Sequence, residues 1–105
     1  MVIVETRAFT ARIGDLLSDE QYRVLQAHLA VRPAAGDVIP GTGGLRKVRW
    51  VGKGRGKRGG CRVIYFWHSA SSRLLMLFAF SKNERVDLTA AQKKALRQIV
   101  ETEYQ

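Results

Sequence analysis

Cys61-Arg62-Val63-Ile64-Tyr65-Phe66-Trp67-His68, a connection at 69–72, and then Leu74-Leu75-Met76-Leu77-Phe78-Ala79-Phe80 form the stretch on which the fold turns. Each run is apolar at both parities: Val63, Tyr65 and Trp67 alternate with Ile64 and Phe66, and the second run repeats the pattern. A strand that is apolar on both faces sits centrally in a sheet, with a covering layer on each side. The short connection makes the two runs a hairpin. Upstream, Pro40-Gly41-Thr42-Gly43-Gly44 is turn chemistry, and residues 45–51 read as a third strand. The register of that strand stays open, because a bulge is invoked to put Val48 and Trp50 on a different face from Leu45 and Val51. Residues 52–60 join it to Cys61 and hold five of the ten glycines. Nine residues is long for a hairpin loop, and long loops in compact domains are often functional.

Working outward, helices are expected at both ends. After a short strand at 2–5, Thr10 is expected to cap a helix carrying Phe9, Ile13, Leu16 and Leu17 along one side. Ser18-Asp19-Glu20-Gln21 is a capping box with acids in the first turn, where the helix dipole favours them. The helix it opens has Tyr22, Leu25 and Leu29 at helical spacing and stops before Pro33. His28, beside that stripe, reads as a structural or exposed histidine. Thr89-Ala90-Ala91-Gln92 is a second capping box, opening a helix with a stripe of Leu88, Ala95, Leu96, Ile99 and Val100. Lys93, Lys94 and Arg97 are expected to face outward. The fold class is therefore α+β, with residues 1–105 as one domain: an N-terminal strand and helical hairpin packed on an antiparallel sheet, closed by a C-terminal helix.

Composition narrows the function. Hydrophobic residues at 46% and charged residues at 26% describe a globular chain and exclude a disordered one. The single cysteine, Cys61, forms no internal disulfide, which points to the reducing cytoplasm. No run approaches the length of a membrane span, so no membrane partner is expected. The net charge is +9, and its distribution matters more than its size. Residues 1–37 hold four basic and five acidic side chains, and residues 74–105 hold five and four. Residues 38–73 hold nine basic side chains and no acidic one. A field concentrated in this way recruits polyanions, with RNA or the ribosome ahead of an acidic protein.

Several catalytic motifs fail on inspection. Gly54-Arg55-Gly56-Lys57-Arg58-Gly59 matches the dinucleotide fingerprint, but a strand follows it where a helix is required. A phosphate-binding Walker loop fails too, since Lys57 precedes Arg58 and not a hydroxyl. Cys61 and His68 have opposite parity on one strand and point to opposite faces. No His, Cys or carboxylate cluster has metal-ligand spacing, so neither a metal nor another cofactor is expected.

What remains is a set of cations with one carboxylate. Arg46, Lys47 and Arg49 lie on one strand, Arg62 opens the next, and Lys82 and Glu84 follow the third. On neighbouring strands these groups can converge on one phosphate. RNA is cut without metal by its own 2′-hydroxyl when a base takes the hydroxyl proton, cations stabilise the charge gained at phosphorus, and an acid protonates the leaving 5′-oxygen. A lysine crowded by like charges is suited to such proton transfer.

Three blocks of this chain resemble the HigB branch of the RelE superfamily of type II toxin–antitoxin toxins. They are Gly41-Thr42-Gly43-Gly44-Leu45-Arg46-Lys47-Val48-Arg49-Trp50, Lys57-Arg58-Gly59-Gly60-Cys61-Arg62-Val63-Ile64-Tyr65, and Ser81-Lys82-Asn83-Glu84-Arg85-Val86-Asp87-Leu88-Thr89. The resemblance implies a RelE-like fold and a ribosome-dependent, metal-free mRNA endonuclease. It also implies a cognate helix-turn-helix antitoxin whose complex with the toxin binds the operator DNA. Arg62 matches the family's phosphate-binding arginine, and Lys82 with Glu84 match the lysine–glutamate pair after the last strand. Lys47 and Arg49 take positions where RelE proper has two lysines, but Arg49 is too basic to be a ready base. Leu88-Thr89 replaces the tyrosine that RelE proper carries near its final helix, which leaves the acid and base roles unassigned. The catalytic set is thus Arg62, Lys82, Lys47, Lys57 and Glu84, with Arg46, Arg49, Lys53, Arg55 and Arg58 as RNA contacts. Two alternatives stand beside it: a non-enzymatic gyrase poison of the ParE type, which shares the fold, and a plain RNA- or ribosome-binding protein.

Overall fold

The computed structural model describes residues 1–52, 60–82, 84 and 87–104. Its elements are β1 (Val2–Glu5), α1 (Arg7–Leu16), α2 (Asp19–Val31), β2 (Asp37–Val38), β3 (Arg46–Trp50), β4 (Cys61–His68), β5 (Arg73–Ser81) and α3 (Ala90–Tyr104). The strands form one sheet in the order β1-β5-β4-β3-β2. The apolar runs β4 and β5 are central and antiparallel, as their two-faced hydrophobicity predicts. The sheet is mixed, because β1 joins its edge parallel to β5. Two backbone bonds beyond the ladder hold β1 there, Val2 N–H to Ser72 at 3.1 Å and Thr6 N–H to Met76 at 3.0 Å.

Each face of the sheet buries a separate cluster. Phe9, Ile13, Leu17, Leu25 and Leu29 of the helical hairpin pack on Val48, Cys61, Val63, Tyr65, Leu74, Met76 and Ala79. Leu88, Leu96 and Val100 pack on the opposite face against Ile39, Leu45, Ile64, Leu75, Leu77 and Phe80. No bulge in β3 is needed to separate Val48 and Trp50 from Leu45; alternation does it, and β3 pairs with β4 without interruption. The irregularity falls in β5 instead. Ile64 pairs with Phe78 but Tyr65 with Met76, so Leu77 is the extra residue, and Leu77 and Phe78 both turn toward the α3 layer.

Local chemistry sets the helix ends. Ser18 and Gln21 make both bonds of their capping box, at 3.1 and 2.8 Å, and Thr89 and Gln92 do likewise at 3.1 and 2.9 Å. The cap of α1 is Thr6 and not Thr10. The Thr6 hydroxyl accepts from Phe9 N–H at 3.1 Å and donates to the Leu77 carbonyl at 2.8 Å, so the helix starts directly off the sheet. Thr10 lies inside the helix and donates to Glu5. The stripe of α3 is also narrower than expected, since Ala95 is exposed and Ile99 is 37% exposed. Arg97 does not simply face outward. It donates to the carbonyls of Thr42 and Gly43 at 3.2 and 3.0 Å and pairs with Glu101, clamping α3 to the turn before β3. Gly43 suits this turn: its φ is +70°, which strains other residues, and a Cβ there would displace the Arg97 guanidinium from its carbonyls.

Candidate nucleic-acid interface

Alternation along β3 and β4 decides which cations meet. Arg49 lies directly across from Arg62, and Lys47 across from Ile64, so Lys47, Arg49 and Arg62 share the face that carries α3. Phe80 flanks Arg62 on the other side. Arg62 is only 8% exposed, whereas Arg49 is exposed and Lys47 half-buried. Gly60, at φ +60°, opens β4, and a Cβ there would lie 3.5 Å from Nη1 of Arg62. The guanidinium head is thus placed at the entrance to the strand, beside Gly60. Two arginines and a lysine on one sheet face, one of them nearly covered, gather positive charge there.

Other sequence candidates fall elsewhere. Arg46 points to the opposite face and donates to the carbonyls of Gly36 and Ala34, at 2.8 and 3.3 Å, so it ties the segment after α2 to β3. Glu84 pairs with Arg12 of α1 and accepts from Ser81 N–H at 2.9 Å, an engagement the sequence does not announce. Lys82 is exposed in the turn two residues beyond Phe80. Lys53, Arg55, Lys57 and Arg58 lie outside the described residues.

One carboxylate at the site was missed by sequence reasoning. Asp87 lies 3.5 Å from the Lys47 ammonium and accepts from the Leu88 N–H at 2.8 Å. The Leu88 N–H, opposed by partial desolvation, and then the positive charges of Lys47 and Lys93 hold its carboxyl below the usual carboxylate range. Nothing in spacing marks Asp87, because its partner is 40 positions away in the chain.

The two histidines and the cysteine have partners of their own. His28 packs against Trp50, ring centroids 5.2 Å apart, and His68 bonds Ser71 at 2.6 Å. Cys61 is buried with the helical-hairpin cluster, away from His68. Burial pushes its thiol up to about 11, against the lowering effect of Arg12 and Arg62. Because the thiolate is the reactive form, native protein at pH 7.5 should resist an aromatic disulfide reagent over a time in which urea-unfolded protein is fully labelled. Equal rates in both states would show that Cys61 is accessible.

A mixed sheet covered on one face by a helical hairpin and on the other by a C-terminal helix, with cations gathered on the latter face, defines a small α+β protein that presents positive charge from its sheet. The family model for the RelE toxin of the RelE / RelB toxin-antitoxin system matches residues 7–105, and the chain belongs to that family. It is therefore a toxin of a toxin–antitoxin system, with an antitoxin as its partner. Among the described residues no helix is long and apolar enough to cross a membrane.

Proposed function

We propose that this toxin is a ribosome-dependent, metal-independent mRNA endonuclease of the HigB type, which blocks translation by cutting the message. The observation that carries the reading is the placement of Lys47, Arg49 and Arg62 on one sheet face. Arg62 and Arg49 hold the scissile phosphate and stabilise the charge that develops on it, since guanidinium groups stay protonated and grip phosphate oxygens in pairs. Lys47 is the member of the group able to exchange a proton, with Lys82, one residue past the end of β5, as a second such lysine. The 2′-oxygen loses its proton and attacks phosphorus, the bond to the 5′-oxygen breaks, and that oxygen takes up a proton. Glu84 and Lys57 complete the proposed catalytic set, while Lys53, Arg55 and Arg58 contact RNA phosphates. Its antitoxin is of the helix-turn-helix class, and the pair binds operator DNA through the antitoxin.

The test is the chemistry of the cut ends. Programmed ribosomes incubated with the toxin should yield message fragments with 2′,3′-cyclic phosphate and 5′-hydroxyl termini. Fragments ending in 3′-hydroxyl and 5′-phosphate would require attack by water, and the mechanism above would be wrong.

A further inference from the structure

We infer that Asp87 is a positioning residue for Lys47, holding its ammonium in the cationic group on the α3 face of the sheet. The inference rests on the nuclease reading and adds to it a residue that the cation set does not contain. An anion beside a site for RNA phosphates works against binding by simple repulsion, so its presence calls for a compensating role. The geometry supplies one. Asp87 Oδ1 both accepts the Leu88 N–H at 2.8 Å and faces the Lys47 ammonium at 3.5 Å. Leu88 is 6% exposed in the α3 cluster, and Thr89 immediately after it caps α3. The carboxylate is therefore anchored to a packed element, while lysine is a flexible stem that would otherwise sample many rotamers. Other charges face the same point. Arg49 follows Lys47 by one pleat, Arg62 lies diagonally across on β4, and Asp37 pairs with Lys47 in the β2–β3 ladder. Lys93 of α3 also acts electrostatically on Asp87. The ion pair nevertheless forms with Asp87, the carboxylate tied to a buried neighbour.

The experiment compares Asp87→Asn, Asp87→Glu, Lys47→Met and the Asp87→Asn/Lys47→Met double variant in single-turnover cleavage of ribosome-bound message. Asparagine keeps an oxygen for the Leu88 N–H, so melting temperatures should stay within a few degrees of the parent. Asp87→Asn should lower the maximal rate on the order of 10-fold while the half-saturating concentration holds or falls, because an anion has been removed. Asp87→Glu should recover part of the rate. In the Lys47→Met background the Asp87 change should have no further effect, since the residue it acts through is gone. A parental rate in Asp87→Asn, a loss expressed only as weaker saturation, or the same loss in both backgrounds each overturns the inference and leaves the nuclease reading intact. If the parent itself does not cut the message, the nuclease reading falls and this inference falls with it.

Discussion

Cells induced to make Arg62→Ala should keep growing, although the variant folds and still binds its antitoxin. Arg62 is the most covered of the grouped cations, at 8% exposed, and it stands between Arg49 and Phe80 across three strands. Removing a single donor aimed at developing charge in a dry site costs roughly 10²–10³ in rate. The fold should tolerate the change, since Arg62 lies near the start of β4 and belongs to neither hydrophobic cluster. Lys82→Ala, in an exposed turn, should also lose toxicity with little effect on folding. Circular dichroism and an antitoxin pull-down supply the folding controls, and mapping transcript 5′ ends supplies the readout. Should both variants stay as toxic as the parent while DNA breaks accumulate and translation continues, the toxin acts on gyrase and the nuclease reading is sunk.

Phe9→Ala should remove a large share of the stability without touching the cationic face. Phe9 is 0% exposed, lies 5.7 Å from the Tyr22 ring by centroid, and sits in the cluster between the helical hairpin and the sheet. Emptying such a site costs roughly 3–5 kcal/mol, against a total of about 5–15 kcal/mol for a typical domain. The melting temperature should drop by on the order of 15 °C or more. Val31→Ala on the outer side of α2, where the side chain is 80% exposed, should change stability by no more than about 0.5 kcal/mol. Calorimetry on the two variants checks the pair, and a Phe9→Ala shift of only a few degrees would mean that the cluster is not the main core.

Parity and capping chemistry carried far along this chain. Both central strands were legible because a run apolar on both faces has no stable place except between two layers, and Val63, Ile64, Tyr65, Leu75 and Met76 are all buried there. The boxes at Ser18 and Thr89 were legible because each closes within three residues. Thr10 misled, since the residue that caps α1, Thr6, is selected by a bond to Leu77, 71 positions away. The two-residue β2 carries no period of its own. Its place follows from the Thr42 turn, where Ile39 N–H reaches the Leu45 carbonyl at 2.8 Å and the Thr42 hydroxyl bonds back to Ile39 at 2.5 Å.

The candidate site divides in the same way. An acid-free middle third and three blocks of residues in order were enough to point to a cationic toxin of this family, because charge balance and local motifs are properties of the chain itself. Tertiary structure alone sorted those charges by use. Strand alternation and pairing set Lys47, Arg49 and Arg62 together and sent Arg46 to the carbonyls of Ala34 and Gly36. Chain closure brought Arg12 to Glu84 and Asp87 to Lys47, contacts that span 72 and 40 positions. Periodicity reports which face a side chain takes, and only the packing of distant elements decides which charge it meets there.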